Sequence, residues 1–330
     1  MTKLNWGMVG CGTIGHEMAQ ALQLCGSQLY GITCRTKEKR EAFAKEYGIT
    51  HCYHSLEEML VDSAIHIIYI ATPHNTHYEQ IKMALQAGKH VLCEKAICVN
   101  SSQLEELVEL ASEKGLILKE AMTISHMPLY YKLRKRIKDG VIGDVKMVQV
   151  NFGSNKEYDV TNRFFSKELA GGALLDIGGY AVTFARFFLA EQPNVVLTTV
   201  KYFETGVDEQ SGIILKNDRE QMAVIALTMR AKQPKRGVIT GEKGFIEIYD
   251  YPRAEKATIT DTATGEVTIV QEGDSKRALC YEAEAMERAV QGIKQDVKAT
   301  EQENTLALSR DVMDILTNVR KQWGLRYPFE

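Results

Sequence analysis

Several short segments of this chain carry residue types whose chemistry depends on spacing. Gly10-Cys11-Gly12-Thr13-Ile14-Gly15 fits the pattern GxGxxG. It follows an apolar run, Asn5 to Val9, that reads as a strand, and it opens an amphipathic run, Ile14 to Leu24, that reads as a helix. In that setting the first glycine permits a tight turn and the second lets the backbone approach a pyrophosphate. The third lets the helix pack on the strand. The helix N-terminus then offers free N–H groups and a positive dipole end to the phosphates. An ordinary glycine-rich turn is the bland alternative, and the strand–helix context argues for dinucleotide binding.

The end of the next strand bears on which dinucleotide. A site for NAD carries Asp or Glu about 20 residues after the glycines, bonded to the ribose 2′-hydroxyl. Here the residues are Thr33-Cys34-Arg35-Thr36, with no acid. Arg35 suits a bidentate contact with a 2′-phosphate, and Thr36 and Lys39 add donors. NADP is therefore preferred over NAD; a solvated basic turn is the alternative.

Thr72-Pro73-His74-Asn75-Thr76-His77 follows the β-branched run Ile65 to Ala71, at the carboxyl end of a strand, where ligands sit in open α/β sheets. Pro73 fixes a turn, and Asn75 or Thr76 is expected to cap the next helix. His74 and His77 on one turn, with no third ligand near, fall short of a metal site, as do His51 and His54. The next strand ends in Glu94-Lys95. That pair reads either as a solvated salt bridge or as a lysine placed at the reacting carbon. Finally, Gly171-Gly172-Ala173-Leu174-Leu175-Asp176-Ile177-Gly178-Gly179-Tyr180 sets Asp176 and Tyr180 four apart, on one face if helical. Interior glycines cost about 1 kcal/mol each in a helix, so Gly178 and Gly179 suggest a close approach by backbone or ligand. A loop broken by glycines, with Tyr180 as packing, is the alternative.

The elements that position these residues alternate through the first third of the chain. Strand-like and helix-like runs succeed one another from Asn5 to about residue 122, which implies right-handed crossovers and a doubly wound parallel sheet. The remainder changes character. A basic helix (Tyr130 to Lys138), a strand (Val145 to Phe152) and a helix-like segment (Ala173 to Leu189) precede strand-like runs between Val195 and Val270 that suggest an antiparallel meander. Gln221 to Ala231 is apolar on both alternating faces, so one face is expected to meet helices and the other a second subunit. Helices at Ala278 to Gly292 and Glu301 to Trp323 close the chain. The expected fold is α/β: a Rossmann domain over residues 1–122, then an α+β domain over 123–330 with a large, mostly antiparallel sheet.

The chain has 330 residues, net charge −3 and a composition 45% hydrophobic and 25% charged, as in an ordinary globular protein with a sizeable core. The pI near 6.3 gives no overall pull toward nucleic acid or anionic membrane. No apolar run reaches the roughly 20 residues of a membrane span. The cysteines number seven, with no CxxC, and read as free, largely buried thiols in a reducing compartment. With no signal peptide expected, the location read from the sequence is cytoplasmic.

Taken in order along the chain, these motifs resemble the Gfo/Idh/MocA oxidoreductases. The resemblance covers nearly the whole length and adds Glu120-Ala121-Met122, the turn Thr240 to Ile246 and the ending Gly324 to Glu330. It looks nearest to the branch with dimeric dihydrodiol dehydrogenase and D-xylose 1-dehydrogenase, which use NADP and carry tyrosine at the Tyr180 position. The resemblance implies that Gly10, Gly12, Thr13 and Ile14 cradle the pyrophosphate and that Arg35, Thr36 and Lys39 hold the 2′-phosphate. It implies that Thr72, His74, His77 and Glu94 line the nicotinamide ribose side, and that Lys95, Asp176 and Tyr180 handle the proton. The implied activity is hydride transfer between NADP(H) and a carbohydrate-like or polyol substrate, in a homodimer or homotetramer formed through the C-terminal sheet. A non-catalytic, dinucleotide-sensing regulator on the same fold is the alternative. A methyltransferase fits poorly, since it wants an acid near Arg35. The chain departs from the family at Ala96, where proline is usual, and at Thr123 and Ser125, where the branch has Trp and Arg. The substrate pocket is therefore expected to differ from that of its nearest branch.

Overall fold

The computed structural model describes residues 3–294 and 305–330, which fall into two compact units. The first takes the chain through Cys98, then Ser102–Met122, and the segment that begins at Lys276. The second takes Val99–Ser101, Thr123–Ser275 and the chain from Ala307 on.

The first unit runs β1 (Asn5–Val9), α1 (Thr13–Leu24), β2 (Gln28–Thr33), α2 (Lys37–Tyr47), β3 (His51–Cys52), α3 (Leu56–Leu60), β4 (Ile67–Ile70), α4 (His77–Gln86), β5 (His90–Glu94), α5 (Ser101–Glu113) and β6 (Leu118–Ala121). Its six-stranded sheet has the order β3-β2-β1-β4-β5-β6, and every pair is parallel. This is the Rossmann arrangement, with the order reversing between β1 and β4. Every residue of β4 is buried, as a strand covered on both faces requires. Val9 lies opposite Ile70, so the turns after β1 and β4 leave the sheet side by side. Two elements were not expected from the sequence, β3 and α3. Both are short, but α3 had a legible start: Ser55 Oγ accepts from Glu58 N, and Glu58 Oε2 accepts from His54 N.

The second unit carries α6 (Pro128–Lys138), β7 (Val145–Asn155), α7 (Gly179–Phe188), β8 (Val195–Tyr202), β9 (Asp208–Lys216), β10 (Met222–Thr228), β11 (Arg230–Gly241), β12 (Gly244–Tyr249), β13 (Lys256–Asp261) and β14 (Val267–Gln271). Its eight-stranded sheet has the order β14-β13-β12-β11-β7-β10-β9-β8. The expected simple meander is interrupted. Strand β7 inserts between β10 and β11 and pairs parallel with β10, while the other pairs are antiparallel. β7 is a sequence neighbour of neither flanking strand, so neither pairing is a hairpin; it runs parallel to β10 and antiparallel to β11.

Helix α7 covers one face of this sheet. A Cβ on Gly237 of β11 would stand 2.2 Å from the Phe184 ring, and one on Gly178 would stand 2.8 Å from Leu227 of β10. Gly178 is thus a packing glycine, not a ligand approach. On the other face, Leu197, Ile214 and Val224 lie opposite one another across β8, β9 and β10, and they are 58%, 37% and 37% exposed. Helix α8 (Ala278–Lys294) belongs to the first unit, where Glu287 Oε1 accepts from Trp6 Nε1 at 2.8 Å. Helix α9 (Leu306–Trp323) follows; its expected start at Glu301 lies outside the described residues. Among the described residues no helix is long and apolar enough to cross a membrane.

Candidate active site

The turn after β1 is built as the glycine pattern demands. Gly10 has φ +108°, and a Cβ there would lie 2.5 Å from the Ala71 carbonyl oxygen. Only glycine fits that approach of the two turns. A Cβ on Gly15 would lie 2.8 Å from Gly10 O, so this glycine sets how closely α1 sits on the turn. Gly12 differs: nothing of the protein lies within 4 Å of where its Cβ would be. Gly12 and Thr13 are exposed, Ile14 is half-buried, and no side chain caps the first turn of α1. Uncapped N–H groups beside an open glycine fit the pyrophosphate of a dinucleotide.

Arg35, Thr36 and Lys39 are exposed where β2 passes into α2. Neither Arg35 nor Lys39 makes an ion pair among the described residues, so both cations are uncommitted. Arg40, by contrast, is buried and donates from Nη1 to Cys34 O at 3.0 Å. One expectation fails here. Cys11 and Cys34 are joined as a disulfide with their Cα atoms 6.0 Å apart, so not all the thiols are free. The cause is the parallel pairing of β1 with β2. Val9 lies opposite Thr33, and Gly10 N donates to Thr33 O, which sets the two following turns side by side. The remaining cysteines are free: Cys93, Cys98 and Cys280 are buried, Cys25 is half-buried and Cys52 is exposed.

The turns after β4 and β5 are tied together by histidines. His77 is fully buried, with Nδ1 2.9 Å from Ala96 O and Nε2 2.8 Å from Thr72 O. His74 Nε2 lies 3.1 Å from Lys95 O. Both rings thus meet main-chain carbonyls of Lys95 and Ala96, which ties the turn after β4 to the turn after β5. The expected side-chain cap of α4 is absent. Thr76 Oγ1 donates to Pro73 O instead, and the helix is entered through a 3-10 turn at His74–Thr76. Thr72 donates its hydroxyl to Gln80 Oε1 at 2.7 Å. Glu94 is buried and accepts from Tyr69 Oη at 2.5 Å. Burial and the neighbouring Glu94 push the Tyr69 phenol well above its ordinary range, so it stays a donor. The sequence held a signal for Tyr69, a hydroxyl inside an otherwise aliphatic central strand. Lys95 is half-buried, and its peptide bond to Ala96 is cis.

In the second unit the glycine-rich segment opens at Gly172, whose φ is +113°. A Cβ there would strike Asp208 Oδ1 at 2.1 Å. Asp208 Oδ2 accepts from Leu174 N at 2.6 Å, so this carboxylate caps the segment. Leu174–Gly178 then form a π turn before α7 begins at Gly179. Asp176 sits in that wide turn and Tyr180 in the first turn of the α-helix. Such π turns occur often at functional sites. The carboxylate of Asp176 is buried and flanked by Lys156 Nζ and Arg163 Nη2, each at 3.7 Å. Both cations also lie over the Phe164 ring, at 3.5 and 4.2 Å from its centroid. Tyr180 is half-buried, with the Phe152 ring 6.2 Å away. Lys156 and Arg163 escaped the sequence reading because they sit in a polar stretch with no periodicity. Thr123 and Ser125 are buried, and Thr123 donates its hydroxyl to Pro252 O at 2.6 Å.

Residues 4–122 match the family model described as the oxidoreductase family, NAD-binding Rossmann fold, and residues 130–247 match the GFO/IDH/MocA C-terminal domain. Trans-1,2-dihydrobenzene-1,2-diol dehydrogenase of Xenopus laevis is 33% identical over 333 residues, covering 98% of this chain and 99% of the relative. A 3-ketoreductase from Actinomadura kijaniata, solved with NADP and TDP-benzene, superposes with a TM-score of 0.84 at 21% identity, over 97% of this chain and 98% of that one. Levoglucosan dehydrogenase, solved with NADH, gives 0.87 at 18% identity, over 98% and 97%. At such identities the two structures speak for the fold alone. With the matched models and a full-length relative, the chain belongs to the Gfo/Idh/MocA family of oxidoreductases.

Proposed function

We propose that this chain is an NADP-dependent dehydrogenase or reductase acting on the CH–OH or carbonyl group of a carbohydrate-like or polyol substrate. The observation that carries the reading is the phosphate turn: an uncapped helix start beside an open Gly12. The neighbouring strand end adds the exposed cations Arg35 and Lys39, which make no ion pair among the described residues, in place of an acid. That end suits a 2′-phosphate and leaves a bare 2′-hydroxyl without its usual acceptor. Gly10, Gly12, Thr13 and Ile14 hold the pyrophosphate, and Arg35, Thr36 and Lys39 hold the 2′-phosphate. Thr72, His74, His77 and Glu94 shape the ribose side, the histidines through the turns they clamp.

The nicotinamide, when bound, supplies the two-electron exchange with the substrate carbon. The chain supplies the proton. Lys95 and Tyr180 are assigned to one proton path, in which one of them takes the substrate hydroxyl proton during oxidation. A phenol ordinarily titrates near pKa 10, so Tyr180 needs a neighbouring cation to act near neutral pH, and the Lys95 ammonium is assigned that part. Asp176 orients the group, its own charge balanced by Lys156 and Arg163. The exposed sheet row of Leu197, Ile214 and Val224 serves self-association into a homodimer or homotetramer. The setting is cytoplasmic, which suits the free cysteines, with the Cys11–Cys34 bridge as the exception.

Stopped-flow oxidation of protein-bound NADPH by a panel of sugars and dicarbonyls tests the reading. Turnover with at least one member is the expected result. Tight NADPH binding with no oxidation across the panel favours the dinucleotide-sensing regulator instead.

A further inference from the structure

The Cys11–Cys34 bridge is out of keeping with the other thiols. It is the one disulfide among the described residues, and Cys25, Cys52, Cys93, Cys98 and Cys280 are free. Burial pushes the Cys25, Cys93 and Cys98 thiols above the ordinary range, which makes them poor partners for exchange. The sheet also holds the ends of β1 and β2 together without a covalent tie. Val9 lies opposite Thr33, and Gly10 N donates to Thr33 O at 2.8 Å. In the reducing setting proposed for this chain, a disulfide of this kind is usually transient or redox-sensing.

The bridge ties together the two turns that a dinucleotide must span. Cys11 stands between Gly10 and Gly12 of the phosphate turn, and Cys34 directly precedes Arg35. In the Rossmann arrangement the pyrophosphate sits at the start of α1, and the 2′ position of the ribose is read at the end of β2. The ribose therefore crosses the line on which the two sulfurs meet. All these residues belong to the first unit. Both cysteines are half-buried, which leaves them open to a small thiol. Their Cα atoms are 6.0 Å apart, an ordinary separation for a bridge, set by the register of β1 on β2. The dithiol form is provided for as well: Cys34 Sγ lies 3.6 Å from Thr36 O, an acceptor for its thiol. Exchange runs through the thiolate, which positive surroundings favour. Cys11 stands just before the N-terminus of α1, and Cys34 stands beside Arg35.

We infer that Cys11 and Cys34 are a reversible modification site, exchanged with a glutathione-type thiol–disulfide couple, and that the bridged form holds the dinucleotide more weakly than the dithiol. The bridge fixes the spacing of the two turns and stands across the seat of the ribose. To form it, one protein thiolate attacks glutathione disulfide, which gives a mixed disulfide and releases one glutathione thiolate. The second protein thiolate attacks the protein sulfur of that mixed disulfide, closes the bridge and releases the other glutathione. Two electrons and two protons pass from the cysteines to the couple, and the reverse sequence reopens the bridge. The inference rests on the dehydrogenase reading only for the presence of a dinucleotide site.

The test equilibrates the full chain in glutathione buffers from reducing to oxidising poise. Bridging is read by blocking the free thiols and mapping the Cys11 and Cys34 peptides by mass, and NADP and NAD affinities are read by calorimetry. The bridged fraction is expected to rise with oxidation, and NADP affinity to fall about tenfold or more from the dithiol to the bridged form. Cys11→Ser combined with Cys34→Ser binds NADP with one affinity at every poise. Cys52→Ser, which removes the exposed free thiol, keeps the full response. A pair that never bridges at any poise overturns the inference, as does a response that persists in the double variant. NADP binding that is equal or tighter in the bridged form overturns the inference alone and leaves the dehydrogenase reading intact. A dithiol form that binds neither NADP nor NAD overturns both.

Discussion

The proposed preference for NADP rests on individual side chains after β2. Arg35 and Lys39 are exposed and uncommitted, whereas Arg40, one position beyond Lys39, is buried and spent on Cys34 O. A charge-assisted bond from Arg35 to a 2′-phosphate predicts that Arg35→Ala weakens NADP binding roughly tenfold to a hundredfold and hardly affects NAD. Thermal shifts at matched concentrations check this, and equal stabilisation of the unaltered protein by NADP and NAD contradicts it. The place of these residues between β2 and α2 was legible in the sequence because strand, turn and helix follow one another without a break. The place of Lys95 just after β5 was legible for the same reason. The partners of Asp176 were not. Lys156 and Arg163 reach it from a loop upstream of the glycine-rich segment, and nothing in that loop's pattern says where it folds back. The Cys11–Cys34 bridge was likewise hidden, since it depends on the register between β1 and β2.

At the scale of elements, the parallel sheet was readable because each strand is a β-branched run flanked by helical periodicity. The segment leading into α7 was not. Its glycines left loop and helix equally open, and Asp208, supplied from β9, decides the outcome by capping it. Burial pushes the Asp208 carboxyl up to about 6, while N–H groups such as that of Leu174 pull the other way. Between its unfolded value of 3.8 and about 6, the native state therefore holds more of this proton than the unfolded state does. The stability tied to the raised value is complete below the unfolded pKa and is lost as pH rises through the folded one. Asp208→Asn removes that slope, so the melting temperature of the variant relative to the unaltered protein is expected to climb between pH 4 and pH 7. A difference that stays flat with pH contradicts the assignment. The opposite case lies at Glu330. Burial raises its carboxyl, but Arg320, Asn100 and the Tyr327 N–H outweigh this and bring it down to about 2. Its contribution is complete above the unfolded value of 4.5 and is lost progressively as pH falls from there through about 2.

For the whole molecule, the second sheet poses the question of what covers its open face. The sequence showed that β10 is apolar on both sides, and the structure gives each side its surroundings. Ala223, Ile225 and Leu227 are buried, while Val224 and its cross-strand neighbours Ile214 and Leu197 face outward. If that row is an interface between copies, a charge at its centre disrupts it. Val224→Lys combined with Ile214→Lys is expected to reduce the sedimenting mass to that of a single 37.1 kDa chain, with NADP binding retained. A wild-type protein that already sediments as a single chain contradicts the assignment.

Lys95 is the cation proposed to make proton transfer possible. The direct measurement is the turnover number of Lys95→Ala beside its NADP dissociation constant, on the substrate the NADPH panel identifies. General acid–base help is typically worth about a hundredfold to ten-thousandfold, so turnover is expected to fall by that much while the dissociation constant changes less than about threefold. Turnover that survives the substitution unchanged contradicts the account.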